Sequence, residues 1–454
     1  MIRNILTAVI LTVCLSVQGQ ESKKWTLEEC VQYAIENNIS IQQSELDILD
    51  AKAGKKTALG NFLPNATGTV NHAWNNGLTR DPITGVNANV TQMNTSVGAN
   101  ARIDLFTGLN NRRQMQRAEL SIISNQYQLD DMKDNISLNV ASAFLQILFN
   151  VENLKVLKYQ KEISKQEISR TNELIASGTI PQGDIYEVEA TLASQEQQIV
   201  IAENDIRLSK INLAQILLIT DYENFDVSFD DIEITEAPEV LSAKPKEIYD
   251  VALDTRYSIK IQETQLDIAK KNYFIAKSGY SPTLSAFYSF DTRASDRPTL
   301  DSNTGQPLDA APIFDQFSRN KGHTYGFTLS VPIFSRFRNN VNVQRNKLSM
   351  QRAQLDYEQT KIDLESNVNQ AYNDAKGALK AYHAAEKTAH ARSEAFKYAE
   401  GRHEVGVINS FEYQQIKQQM EAAESQVIRA KYDYIFKLKI LEFYFGIPIA
   451  KTTN

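Results

Sequence analysis

From Leu109 to Ala176 the chain runs for 68 residues without a proline or a glycine. Those are the residues that stop helices, one by removing a backbone donor and clashing, the other through its conformational freedom. A helix over this whole stretch is about 100 Å long at about 1.5 Å per residue. No ordinary globular core needs such an element, and the scarcity of breakers is general: 18 Gly and 11 Pro in 454 residues.

A second long run begins near Asn339 and shows what such helices pack against. Val341, Leu348, Leu355 and Ile362 form one seven-residue stripe, and Val343, Met350, Tyr357, Leu364, Ala371 and Ala378 form another. At about 100° per residue the two stripes lie about 200° apart, on nearly opposite sides. The first-half helix repeats the second stripe with Met115, Ile122, Leu129, Ile136 and Ala143. A two-stranded coiled coil needs one apolar seam; two opposed seams give each helix a neighbour on both sides, as in a sheet of helices or a closed cylinder. Burial of one helix in a large bundle is the alternative. The faces between the stripes carry Arg345, Lys347, Arg352, Gln354, Glu358 and Lys361, which favours the cylinder.

The sequence also repeats once. At an offset of 218, Ala34, Ser40, Ile41, Glu45, Ala51, Lys52 and Pro64 recur as Ala252, Ser258, Ile259, Glu263, Ala269, Lys270 and Pro282. The offset then becomes 228: Gly98, Phe106, Asn111, Leu120, Gln126, Lys133, Val140, Ala143, Gly178, Ile180 and Leu213 recur as Gly326, Phe334, Asn339, Leu348, Gln354, Lys361, Val368, Ala371, Gly406, Ile408 and Leu441. A constant register over such a distance implies a duplication, with a ten-residue insertion between Pro282 and Gly326. The expected order in each half is a helix, two strands and two long helices. One helix is expected from near Thr26 to Phe62 and its partner from Lys246 to Ser278. Apolar and polar residues alternate with period two at 91–103 and 324–331 and less cleanly at 284–290, which implies two hairpins with strands near 66–79, 90–104, 283–297 and 321–334. Residues 91–103, for example, place Thr91, Met93, Thr95, Val97, Ala99, Ala101 and Ile103 on one face and Gln92, Asn94, Ser96, Asn100 and Arg102 on the other. The loops 80–89 and 298–320 are rich in turn formers and read as exposed tips.

The organisation is thus a first repeat over 20–218, an acidic segment over 219–247 and a second repeat over 248–454. The acidic segment carries Asp221, Glu223, Asp226, Asp230, Asp231, Glu233, Glu236 and Glu239; it reads as a solvated linker, with cation chelation the alternative. Residues 1–19 have the form of a secretory signal peptide: Arg3, an apolar run from Ile5 to Val17, and a cut near Gly19. Cys14 lies in the apolar run without the small neighbour that lipidation favours. Cys30 is then the one cysteine of the mature chain, too few for an intramolecular disulfide, and is expected to be a small buried side chain.

Composition removes several classes of function. Hydrophobic residues at 42% and charged residues at 23% exclude disordered and collagen-like chains. A mean hydropathy of -0.38 is unlike a helical membrane protein. The net charge is -7 with no basic run carrying interleaved aromatics, which disfavours nucleic acid. His72, His323, His383, His390 and His403 include no i, i+4 pair and have no cysteine nearby, so no metal site is expected. No Gly-x-Ser-x-Gly or phosphate-binding Gly-rich loop occurs, and no enzyme or cofactor is expected.

The long helices turn at matched points, Ser177 to Ile185 and Val405 to Tyr413. Gly178 and Gly406 suit helix C-terminal caps, and Asp184 and Glu412 suit the first turns of the returning helices. With these tips the sequence resembles the TolC family of outer-membrane efflux proteins. The resemblance is carried by Trp25-Thr26-Leu27-Glu28-Glu29-Cys30 with Ala34, by the junctions Phe62-Leu63-Pro64 and Tyr280-Ser281-Pro282, and by Leu105-Phe106-Thr107-Gly108 and Val331-Pro332-Ile333-Phe334. The tips and the duplication complete it.

The resemblance implies a membrane α/β fold: a homotrimer whose chains each give four strands to a twelve-stranded outer-membrane β-barrel and their helices to a long periplasmic barrel. Four strands cannot close a membrane barrel, which needs at least about eight; assembly follows from the strand count, and the number three from the family. Met93, Val97, Tyr325, Phe327, Leu329 and Val331 are expected to face lipid. The resemblance further implies a periplasmic aperture gated near Asp184, Glu187 and Glu412, with Gln415 where the family has a second acid. Tips at Gly178, Thr179, Ile180, Gly406, Val407 and Ile408 would dock a periplasmic adaptor, and an inner-membrane transporter would drive export of small molecules or proteins from a Gram-negative cell. A soluble periplasmic scaffold without a barrel is the alternative.

Overall fold

The computed structural model describes residues 24–80, 85–228, 239–301 and 303–448. The expected signal segment with Cys14, the loop residues Asp81 and Pro82, and the acidic residues Asp230, Asp231, Glu233 and Glu236 lie outside the described residues. The first half comprises β1 (Lys24–Trp25), α1 (Leu27–Asn37), α2 (Ile39–Gly60), β2 (Asn65–Arg80), β3 (Asn87–Phe106), α3 (Asn110–Ala176) and α4 (Asp184–Ile216). After β4 (Asp226–Val227) and a single helical turn at Glu239–Ser242, the second half comprises α5 (Pro245–Thr255), α6 (Tyr257–Lys277), β5 (Thr283–Ser295), α7 (Ile313–Arg319), β6 (Gly322–Ser330), α8 (Arg338–Glu404) and α9 (Ser410–Tyr444). Two compact units result. One is helical and holds residues to 46, 127–260 and from 358; the other, residues 47–126 and 261–357, contains the main sheet.

The duplication extends to backbone conformation. Positive φ recurs at an offset of 228: Gly108 and Leu109 (64°, 67°) match Arg336 and Phe337 (49°, 62°), Gly178 (74°) matches Gly406 (73°), and Leu218 (60°) matches Gly446 (84°). The left-handed region is costly for residues with a Cβ, so its recurrence at Leu109 and Phe337 marks a shared strand-to-helix turn. The helix starts match as well. Glu29 accepts from the Thr26 N–H (3.0 Å), and Glu247, 218 residues on, accepts from the Lys244 N–H (3.2 Å).

Each expected leading helix is two helices, broken at Asn38 and at its counterpart Arg256, which have extended backbones (ψ 129° and 126°). Asn38 restarts the chain locally, its Oδ1 accepting from the Ser40 N–H at 2.9 Å. At Arg256 the reason is tertiary: the guanidinium sits 3.9 Å from the Phe443 ring centroid and 3.4 Å from Asp134.

The four long strands form one antiparallel sheet in the order β2-β3-β5-β6, with a register shift between Asp104 and Phe106. The pairs Val70 with Val97, Trp74 with Met93, Ala99 with Phe290, Tyr288 with Tyr325 and Ala286 with Phe327 place most of the apolar and aromatic side chains of the four strands on one face, Phe287 and Val90 falling on the other. Asn71, Asn94, Ser96, Asn100, Arg102, Ser289, Asp291 and Thr324 occupy the other, where Ser289 donates to Asn100 (2.7 Å). Val331 falls just outside, because β6 closes at Ser330, ahead of Pro332. Strands β2 and β6 are bonded on one side only.

The helical unit has its main core where α1 meets the long helices: Cys30, Val31 and Ala34 pack with Val140, Phe144, Ile147, Leu213, Leu217 and Ile435. Cys30 is fully buried. The described start of the acidic segment is not a free linker. Phe225 and Val227 belong to this core, β4 pairs with β1 in parallel, and Lys210 holds Asp226 at 2.8 Å. On α8 the two stripes diverge: Leu364, Ala371 and Ala378 are buried, whereas Val341, Leu348, Leu355 and Ile362 are exposed, Leu355 by 69%.

Gly108 tests the strand-to-helix turn. A Cβ there would lie 2.3 Å from the Ser281 Cβ at a φ of 64°. Gly108→Ala should therefore cost about 2–4 kcal/mol from strain and overlap, read as a lowered midpoint in thermal unfolding followed by circular dichroism.

Candidate functional site: the hairpin tips

Both long helices ending at the tips stop in the same way. At the first tip the Gly178 N–H bonds to Ile175 O and the Thr179 N–H to Leu174 O, each at 2.9 Å. At the second, the Gly406 N–H bonds to His403 O (3.0 Å) and the Val407 N–H to Arg402 O (2.9 Å). This is a Schellman cap, in which a left-handed residue lets two orphan carbonyls be satisfied. The return differs between the halves: Asn409 caps α9, its Oδ1 accepting from the Glu412 N–H at 2.8 Å, whereas Gly183 offers α4 no side-chain cap.

The tips touch. Ser410 Oγ donates to Asp184 Oδ2 at 2.8 Å and lies 3.4 Å from His403 Nε2. His403 stacks on Tyr413 with 4.6 Å between centroids, and Phe396 lies beside the same ring at 5.5 Å. Burial raises the Tyr413 hydroxyl well above the usual tyrosine range, and the charges of Glu167 and Glu400 add to it, so the phenol stays neutral. Asp184 is half-buried and engaged, while Glu187, Glu412 and Gln415 are exposed.

The docking surface expected from sequence needs one correction. Ile408 is only 5% exposed, packed with Ala399 and Tyr413 and flanked by Phe396 and Ile416, because its side chain seals the open end of the hairpin core. Gly178, Thr179, Gly406 and Val407 are exposed and Ile180 half-buried. Val405 and Phe411, which were not singled out from sequence, present large apolar surface.

A few turns from the tips, α3, α4 and α9 share a polar layer that sequence reading also missed. Lys417 is 0% exposed; its Nζ lies 2.7 Å from Glu167 Oε2 and donates to Ser164 Oγ at 2.9 Å. Gln414 donates to the other oxygen of Glu167 at 2.6 Å. Gln195 donates to both oxygens of Glu421, at 3.1 and 3.3 Å. The clue was periodicity: Tyr413, Lys417 and Met420 stand on one stripe of α9, so a lysine occupies a core position.

An antiparallel sheet with one apolar and one polar face, joined to paired helices of 67 residues, defines a protein of the outer-membrane channel class. The model of the outer membrane efflux protein family matches residues 30–217 and 248–446, and the chain belongs to that family. It is 22% identical over 318 residues to the outer membrane protein TolC of Vibrio cholerae, an alignment spanning 67% of this chain and 66% of that one. It is 21% identical over 442 residues to the outer membrane protein TolC of Escherichia coli, covering 95% of this chain and 84% of that one. The Campylobacter jejuni CmeC outer membrane channel has the same fold, with a TM-score of 0.76 at 17% identity over 94% of this chain and 87% of that one. The protein is therefore an efflux protein of the outer membrane with a large helical periplasmic portion, in a family of transport proteins. That excludes the soluble scaffold.

The buried ion pair gives a measurable expectation. Lys417→Ala leaves Glu167 buried without its cation, and removing one partner of a buried pair costs about 3–5 kcal/mol. Thermal unfolding should show this loss, whereas Lys437→Ala, which breaks the exposed pair with Asp433, should change stability by less than about 1 kcal/mol.

Proposed function

We propose that three copies of this chain form the exit duct of a tripartite export system, a passive channel coupled to an inner-membrane transporter through a periplasmic adaptor. The observation that carries this reading is the coincidence of open edges. Strands β2 and β6 each have one unbonded side, and an open edge in hydrocarbon is untenable. The helices next to them in sequence carry uncovered apolar side chains: Leu49 and Leu59 on α2, and Val341, Leu348 and Leu355 on α8. A neighbouring copy covers both kinds of edge at once. Three chains supply twelve strands, with the Trp74, Met93 and Phe327 face toward lipid and the Asn, Ser and Thr face toward water.

At the hairpin tips Glu412, Glu187 and Asp184 supply the acids of the aperture, with Gln415 neutral. Repeated around a narrow mouth, such carboxylates attract cations and repel anions. The Asp184–Ser410 bond holds the two tips of one chain together, which favours a closed aperture. The adaptor docks on Gly178, Thr179, Ile180, Gly406 and Val407, with Val405 and Phe411 adding apolar anchors and Ile408 supporting the turn from inside. Drugs and other small molecules, or proteins, are the cargo this reading allows.

Two measurements test it. Leu348→Glu with Leu355→Glu should abolish the trimer in native mass spectrometry of detergent-solubilised protein, because charges on the seam oppose its burial. In planar bilayers the trimer should be cation-selective, and Glu412→Gln with Asp184→Asn should reduce that selectivity; unchanged selectivity would remove these residues from the aperture.

A further inference from the structure

The polar layer formed by α3, α4 and α9 has an unequal charge balance. Lys417 is its one buried cation, and Glu167 already faces it. Glu421 stands one turn further along α9 and receives only the amide of Gln195. Gln160 donates to Glu421 O (3.3 Å) and toward Glu424 Oε2 (3.4 Å). The charged groups around Glu421 are thus Lys417 and Glu424 on its own helix and Glu167 on α3, while α4 brings the neutral Gln195 and, outside it, the Glu196 carboxylate paired with Lys161 at 2.9 Å. Three carboxylates surround one ammonium. The layer also holds two buried acceptors without a donor, Gln195 Oε1 and Gln414 Oε1.

A proton on Glu421 eases both mismatches. It cuts the surplus from two negative charges to one, and it creates an O–H donor beside Gln195, whose amide can turn to present Oε1 to it, leaving Gln414 Oε1 as the one acceptor of the two still without a donor. The repeat supplies an internal comparison. At the 228-residue counterparts of Gln414, Lys417 and Glu421 stand Tyr186, Glu189 and Ala193, all exposed. A buried ionic layer is therefore not something both hairpins need in order to fold.

We propose that Glu421 is a proton-operated latch: uncharged, it lets α9 pack tightly on α3 and α4, and charged, it loosens that packing and frees the α9 tip that carries Glu412. The latch rests on the aperture reading above for its effect on flow, but not for its effect on packing. Burial already raises the Glu421 carboxyl above the usual 4.5, with Lys417 opposing. The sign follows from linkage: packing is strongest with Glu421 protonated, and it weakens as the pH rises from 4.5 through the raised value.

The test compares the full-length channel with Glu421→Gln, Gln195→Glu and Lys437→Ala between pH 5 and pH 8. In planar bilayers wild-type conductance should rise severalfold with pH, Glu421→Gln should stay low and flat, and Lys437→Ala, which breaks only the exposed pair with Asp433, should keep the wild-type slope. Gln195→Glu, which places a second carboxylate beside Glu421, should move the midpoint to higher pH. Hydrogen–deuterium exchange over Gln414–Glu424, corrected for intrinsic rates, should accelerate with pH in the wild type and not in Glu421→Gln. A wild-type response in Glu421→Gln by exchange, or an unmoved midpoint in Gln195→Glu, overturns the latch. Exchange that follows the expected pattern in a protein without conductance upholds the latch and overturns the channel reading.

Discussion

Backbone hydrogen bonding at the edges of the sheet is the constraint from which the rest follows. In hydrocarbon each unbonded N–H or C=O costs several kcal/mol, so a sheet must close or stay out of the membrane. Four strands provide two faces of opposite character, one set by Val70, Trp74, Met93 and Phe327 and one by Asn94, Asn100 and Thr324, but they leave β2 and β6 each with a free side. The sheet of one chain is consequently a sector of a barrel. The helices obey the same logic by different physics: an apolar stripe such as Leu348 and Leu355 is as incomplete in water as an open strand is in lipid.

Duplication makes that sector economical to specify. Matched positive-φ positions at Gly108 and Arg336, Gly178 and Gly406, and Leu218 and Gly446 let one backbone solution serve both halves. Departures from the symmetry mark where the halves have diverged. Asn409 caps its helix where Gly183 does not, and Ser410 reaches across to Asp184, so the second tip holds the first. Lys417 and Glu421 have no ionic counterpart pair on the first hairpin, and with Glu167 of α3 they place ionisable groups where the coiled-coil pattern calls for apolar ones.

Much of this was legible in the residues. The Gly- and Pro-free run announced α3, period-two alternation announced β3 and β6, and the offsets of 218 and 228 announced the second half. Features that depend on distant partners were not legible. The break at Arg256 is held by Phe443 and Asp134, residues more than a hundred positions away along the chain. Ile408 looked like an exposed tip residue because its turn is exposed, yet Tyr413 and Ala399 enclose its side chain. Lys417 falls on the apolar stripe of α9, but its partners Ser164 and Glu167 stand 253 and 250 positions away along the chain, so spacing alone does not pair them.

Sequence by itself determined the long helices and strands, their order, their duplication and the polarity of the sheet faces, because these rest on local periodicity and on Gly and Pro chemistry, which act over a few residues. Only the tertiary structure decided which stripe of α8 is covered and which is left open, which tip residues are presented, and that a lysine and two glutamates share a buried layer. Those outcomes depend on which helices become neighbours, and the spacing within a helix marks its apolar stripes without specifying the helix that covers each one.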